Sequence, residues 1–278
     1  MSTGEQGGKN PQRISSAKFW LKSALVIVVM GSLLAWAWMP SHPEEPVYQG
    51  KPLRAWLKTY VDSAGDNEAQ TESVAAIRKI GTNGIPTLIR MIQASDSTLR
   101  TKLQALAEMQ SLFKPNFADA EVTREMALYG FGCLGEDAKG AVPELILIAK
   151  KPSGTAWRED AIDALGNMGV SAQAAVPALL AIASDTRDQD RRNAIHALPL
   201  IRSSAESVVP VLASCLRDSD GRVRYSAAHS LSKFGEAAKS AAPALIPLLS
   251  DPDRHVRMET TNAFKRIDPA AAAAAGIK

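Results

Sequence analysis

From about Arg124 to Asp268 the same two-helix phrase returns every 33 or 34 residues. Aligned on the end of each second helix, Gly135, Gly169, Arg202, Gly235 and Asp268 stand 34, 33, 33 and 33 residues apart. The other columns then fall into line. Eight residues earlier are Ala127, Ala161, Ala194, Ala227 and Thr260; four earlier are Phe131, Leu165, Leu198, Leu231 and Phe264; one earlier are Leu134, Met168, Ile201, Phe234 and Ile267. Spacings of three and four place these on one helical stripe, the pattern of a buried face. After each turn, Pro143, Pro177, Pro210 and Pro243 open the next apolar run. Proline suits a first helical turn because its missing N–H has no partner there in any case. One such hairpin cannot bury its apolar face alone, so the units must stack.

Column content separates the helical-hairpin families with periods near this one. Neither the ankyrin Thr-Pro-Leu-His phrase nor the tetratricopeptide Trp/Leu-Gly/Tyr phrase appears. An Asp does stand six residues before an Arg at the start of the second helix, as Asp185 with Arg191, Asp218 with Arg224, and Asp251 with Arg257. With these pairs the chain resembles HEAT repeats, in the short form of phycobilisome-lyase-like HEAT proteins. The resemblance implies an all-α fold, an α-solenoid of stacked hairpins, with the Asp/Arg pairs as a structural ladder between repeats. The Arg column continues upstream to Arg158 and Arg124, where Pro152 and Ala118 occupy the Asp position.

Upstream the pattern thins. Val74 to Gly81 reads as a second helix and Gly84 to Ile92 as the next first helix, but 54 residues separate Gly81 from Gly135. An insertion of some 20 residues near 99–121 accounts for the excess, with helical composition from Leu99 to Leu112 and a loop whose Asp119 caps the next helix. It is either a binding edge or an elongated helix with a surface loop. Gly50 to Tyr60 reads as a helix with Leu53, Trp56, Leu57 and Tyr60 on one face, covering the first repeat.

The amino terminus has its own logic. Ser23 to Met39 is a run of 17 uncharged residues, and with Phe19 to Leu21 the segment 19–39 approaches the length of a bilayer span. Lys9, Arg13, Lys18 and Lys22 precede it, and Glu44 and Glu45 follow. The positive-inside tendency then leaves residues 1–18 in the cytoplasm and the repeats outside it, as in a single-pass protein of a bacterial inner membrane. Ala35-Trp-Ala37 also has the small-x-small form of a cleavage site, which would release the body as a secreted protein. Residues 40–50, with three prolines between Pro40 and Pro46, read as an extended linker. Pro269 stops the last helix, and the alanine-rich tail 269–278 is open to either helix or disorder. This arrangement resembles bacterial membrane-anchored HEAT-repeat proteins, a likeness that carries no activity.

Beyond residue 50 the chain holds 28 basic and 26 acidic side chains, without the concentrated positive field that nucleic-acid binding needs. Cys133 and Cys215, 82 residues apart in different repeats, read as buried thiols. No HExxH, phosphate loop, nucleophile elbow or CxxC is present. No cofactor, metal site or catalytic residue is implied. The column six residues before each helix end reads Tyr129, Asp163, His196, His229 and Asn262, with Tyr225 one turn before His229. Offset from the apolar stripe, it should line the exposed face of the second helices, the concave side in HEAT-like stacks. The sequence therefore points to a membrane-anchored scaffold that binds a protein partner along that face. The alternatives are a lyase-like or other ligand-binding enzyme and a secreted solenoid that binds the cell envelope.

Overall fold

Helices with a single apolar stripe must cover it with a neighbour, and here each hairpin covers the next. The computed structural model describes residues 45–95, 119–274 and 276–277. In chain order the hairpins pair α1 (Leu53–Asp62) with α2 (Asn67–Ile80), α3 (Ile85–Ile92) with α4 (Ala120–Leu134), and α5 (Val142–Ala149) with α6 (Ala156–Asn167). They continue with α7 (Val176–Ser184) and α8 (Arg191–Leu200), α9 (Ala205–Cys215) and α10 (Gly221–Phe234), and α11 (Ala242–Leu245) and α12 (Arg254–Ile267). A short α13 (Pro269–Ala274) closes the stack. Second helices pack side by side along the series, giving the all-α solenoid expected from the period. The aligned stripe lies between the layers: Ala127, Ala161, Ala194, Ala227 and Thr260 are all fully buried, as are Phe131, Leu165, Leu198 and Leu231.

The turn after each second helix explains the glycine column. Gly81, Gly135, Gly169 and Gly235 have φ between 54° and 60°, and Arg202 has φ 52° at the equivalent place. A side chain there costs roughly 1–2 kcal/mol, which glycine avoids. Seven-residue 3₁₀ segments, such as Gly135–Ala141 and Gly235–Ala241, then lead into first helices with Pro143, Pro177 and Pro243 in the first turn. Pro210 departs from this expectation. After Arg202 the chain enters α9 at Ala205, a turn early, so Pro210 lies inside the helix.

Pro199 likewise lies inside a helix, α8. It stands one residue from the end of that helix. Proline removes the N–H that would have bonded the carbonyl four residues back. That carbonyl, on Ile195, accepts instead from Ser230 Oγ of α10 at 2.9 Å. The lost bond within one repeat becomes a bond between repeats.

At the amino-terminal end the linker expected over 40–50 and the helix expected from Gly50 give way, from Pro46, to a small hairpin. Val47–Tyr48 (β1) pairs antiparallel with Lys51–Pro52 (β2), and Gln49 and Gly50 turn the chain with φ of 49° and 74°. Two positive φ values define the hairpin turn whose twist suits the strands. The hairpin wraps Trp56, which is 1 % exposed, donates Nε1–H to the Tyr48 carbonyl at 3.1 Å, and carries Lys51 Nζ 4.4 Å from its ring centre. Helix α1 begins only at Leu53, after Pro52. At the other end the alanine tail is helical over Pro269–Ala274. Asp268 accepts the Ala271 N–H at 3.1 Å, and Ala272 is buried against the last repeat.

The expected cytoplasmic tail 1–18, the apolar span 19–39 and nearly all of the insertion near 99–121 lie outside the described residues. Among the described residues no helix is long and apolar enough to cross a membrane. At the insertion's far edge, Asp119 caps α4 by accepting the Glu121 N–H at 3.1 Å. Cys133 and Cys215 are both free and buried, and burial raises both thiols.

Candidate functional site

Two polar ladders run between the repeats, and the face left exposed beside them is the candidate site. The first ladder begins at the starts of the second helices. Arg224 Nη1 donates to the Asp218 and Ser219 carbonyls at 2.8 and 3.0 Å, capping the end of its own hairpin turn. The rest of the same guanidinium grips Asp251 of the next repeat, Nε at 2.7 Å and Nη2 at 2.8 Å. Asp251 Oδ1 also accepts the Asp253 N–H at 2.8 Å, so one carboxylate fixes its own turn and the preceding repeat together. Those hydrogen bonds, the Arg224 bond foremost, hold the Asp251 carboxyl below the usual carboxylate range. Arg191 does the same one repeat earlier, bonding the Thr186 carbonyl at 2.7 Å and Asp218 at 2.9 Å. Arg257 bonds the Asp251 and Pro252 carbonyls at 2.7 and 3.1 Å.

Asp185 does not occupy the ladder position its sequence offset assigns to it. It is half-exposed, and among the described residues its carboxylate bonds only Arg187 of its own turn, accepting from the backbone N–H at 3.0 Å and from Nε at 3.4 Å. Arg158 instead bonds both oxygens of Asp188, at 2.8 and 2.6 Å, together with Asp190 and the Ala149 carbonyl. The turn Asp185-Thr-Arg-Asp-Gln-Asp190 contains several acidic residues, and Asp188 makes the same bond to the N–H two residues on as Asp218 and Asp251 make. Arg158 is 3 % exposed, so its charge requires this full set of partners. Further upstream, where the turn lacks an Asp, Arg124 Nε lies 2.6 Å from Asp160 on the next second helix.

A second ladder was not foreseen, and it uses the column expected to face a partner. Asp163 accepts from Asn193 Nδ2 at 3.1 and 3.3 Å, His196 Nε2 shares a hydrogen bond with Ser226 Oγ at 3.0 Å, and His229 Nδ1 meets Glu259 at 3.0 Å. Every rung joins residues 30 apart, the column six residues before one helix end to the column nine before the next. A polar residue in both columns of adjacent repeats was the available signal. Burial raises the Asp163 carboxyl to about 6, with Asn193 opposing and Glu159 adding to the rise. Burial, then His229 and Arg192, lower His196. The His196 and His229 rings are 6.0 Å apart, each with one nitrogen committed to its rung. Among the described residues no group of three His, Cys, Asp or Glu is placed to hold a metal.

Two column residues, Tyr129 and Asn262, remain at the surface together with the neighbouring Tyr225. Tyr129 is 41 % exposed, donates to Glu125 at 3.3 Å and packs 5.4 Å from the Tyr60 ring. Tyr225 stacks parallel on His229 at 6.3 Å, and Asn262 is exposed on α12. Beside Tyr225 an open groove of about 330 Å³ runs between α8, α10 and the start of α12, with Arg192, His196, Arg222, Tyr225, Asp253 and His255 on its walls. Gly221 at the start of α10 keeps it narrow, since a Cβ there would lie 3.1 Å from Asp253 Oδ2.

Two family models match part of the repeat region. Residues 176–265 match the HEAT repeats model, and residues 157–185 match the PBS lyase HEAT-like repeat model. No curated protein matches the chain. An engineered protein of solved structure is similar at 19 % identity, covering 78 % of this chain and 96 % of that one, with a TM-score of 0.43. A designed armadillo repeat protein in complex with the peptide (KR)4 is similar at 15 % identity over 78 % and 99 %, with a TM-score of 0.42. The CpcE and CpcF complex of phycocyanin lyase from Nostoc sp. PCC7120 is similar at 20 % identity over 85 % of each chain, with a TM-score of 0.41. Together the two family models match residues 157–265, where the repeating hairpin is similar to HEAT repeats and, over residues 157–185, to the PBS lyase HEAT-like repeat.

Proposed function

We propose that the chain is an interaction scaffold that takes up a protein partner along the exposed face of its second helices. The observation that carries this reading is the open groove at Arg192, Arg222 and Tyr225, set beside two ladders that already hold the repeats in register. Ladder residues are committed within the fold, whereas Tyr129, Tyr225 and the groove arginines face solvent on rigid helices. Rigid aromatic and arginine side chains are the residue types that dominate protein interfaces. We further propose that the apolar segment 19–39 holds the scaffold at a bacterial inner membrane with the solenoid outside the cytoplasm. The basic residues before that segment and the acidic ones after it support the orientation.

Photo-crosslinking in the native cell tests both parts. A crosslinker at Tyr225 or Tyr129 should yield adducts with a membrane-fraction protein. One at Leu147, which is 65 % exposed on first helix α5, should not. Adducts from Leu147 alone would move the partner to the other layer. A protein that leaves the membrane with a carbonate wash would remove the anchor, and a stoichiometric chromophore on the purified chain would favour the lyase-like reading.

A further inference from the structure

We infer that the groove between α8, α10 and α12 recognises an acidic peptide segment, with Arg192 and Arg222 as its anion contacts. This rests on the scaffold reading and adds the chemistry of the partner. Arg192 is exposed and makes no ion pair or hydrogen bond among the described residues. That sets it apart from Arg158, Arg191 and Arg224, whose charges are consumed by the ladder. Arg222 is exposed and bonded only to Asp220 in its own turn, at 3.1 and 3.3 Å. The groove's one carboxylate, Asp253, accepts the His255 N–H at 2.7 Å as the cap of α12.

Arg192 and Arg222 are also the wall shared with a second cavity of about 420 Å³ over the hairpin turns, lined by Arg187 and Arg191 and by two carboxylates, Asp188 and Asp220, that are already paired with Arg158 and Arg222. An occupant crossing that wall meets guanidinium groups on both sides. The body of the protein is nearly balanced in charge, so this is a local field that selects a negative partner by complementarity. Tyr225 adds a flat apolar wall with its back braced on His229. An extended chain with alternating carboxylates presents charge to both cavities, as a single small anion does not.

The test uses the full chain in detergent and a fluorescein-labelled (Glu-Gly)5 decapeptide read by anisotropy. Binding is expected, weakened by salt and cut about tenfold when Arg192→Glu and Arg222→Glu are combined. Arg217→Glu, an exposed arginine outside the groove, should leave it unchanged. Circular dichroism on each variant shows that the fold is retained. Equal loss with Arg217→Glu, or equal binding of (Lys-Gly)5, overturns the inference as unspecific charge. Inorganic phosphate that displaces the peptide at low millimolar concentration reassigns the groove to small anions. Vesicles containing phosphatidylglycerol that bind through the same arginines when the peptide does not reassign it to lipid headgroups. If the peptide fails to bind while crosslinks from Tyr225 persist, the acidic chemistry falls and the interaction face stands.

Discussion

Replacing Asp163 by Asn should stabilise the protein at neutral pH. The carboxyl lies largely buried on α6, where burial and then the like charges of Glu159, Asp160 and Asp190 raise it from 3.8 to about 6. The sign follows from linkage. A carboxyl raised in the folded state holds its proton more tightly there, so stability falls as pH rises from 3.8 to about 6 and stays reduced above. At about 1.36 kcal/mol per pH unit the full penalty at pH 7 is about 3 kcal/mol, shrinking to about 1 kcal/mol at pH 4.5. Asparagine keeps a carbonyl oxygen to accept from Asn193 Nδ2, so the rung survives while the charge is lost. Urea denaturation of wild type and Asp163→Asn at pH 7 and pH 4.5 measures both quantities. The variant should gain roughly 1–3 kcal/mol at pH 7 and clearly less at pH 4.5. A variant less stable than wild type at pH 7, or a gain independent of pH, would falsify the account of a carboxylate held against its burial.

Four further substitutions test the ladders and turns. Arg158→Ala strands Asp188 and Asp190 in the interior and should cost about 3–5 kcal/mol in denaturant unfolding. Asp185→Ala should leave the melting temperature where it is, and a comparable loss from both would restore Asp185 to the ladder. Ser230→Ala removes the donor to the orphaned Ile195 carbonyl and should cost about 1–3 kcal/mol, while a neutral result would mean another group satisfies that oxygen. Arg202→Gly relieves a positive φ and should raise stability by roughly 0.5–1 kcal/mol after glycine's greater unfolded freedom is counted; thermal unfolding that shows a loss would place a stabilising role on the Arg202 side chain.

The hairpin stack was readable because its cause is periodic. A stripe of Ala, Phe or Leu every 33 residues leaves a helix few choices of neighbour. The ladder was readable only where the turn was regular. Asp218 and Asp251 sit six residues before their arginines, and the same offset chose Asp185 although Asp188 makes the bond. Offsets locate positions in a helix well, but in an acidic turn the side chain that reaches the arginine depends on how the backbone bends. The amino-terminal hairpin was missed because strands of two residues leave no alternation to detect; only the positive φ of Gln49 and Gly50 and the grip on Trp56 reveal it.

The column Tyr129, Asp163, His196, His229 and Asn262 shows the same division. Register alone put these residues on one face, since equal spacing on stacked helices brings them into a row. Whether a member of that row meets solvent or the next helix depends on the rotation and separation of two packed helices, which no single repeat encodes. Packing turned Asp163, His196 and His229 inward onto Asn193, Ser226 and Glu259. It left Tyr225 and Arg192 outside, at the wall of a groove that exists only because α8, α10 and α12 lie side by side.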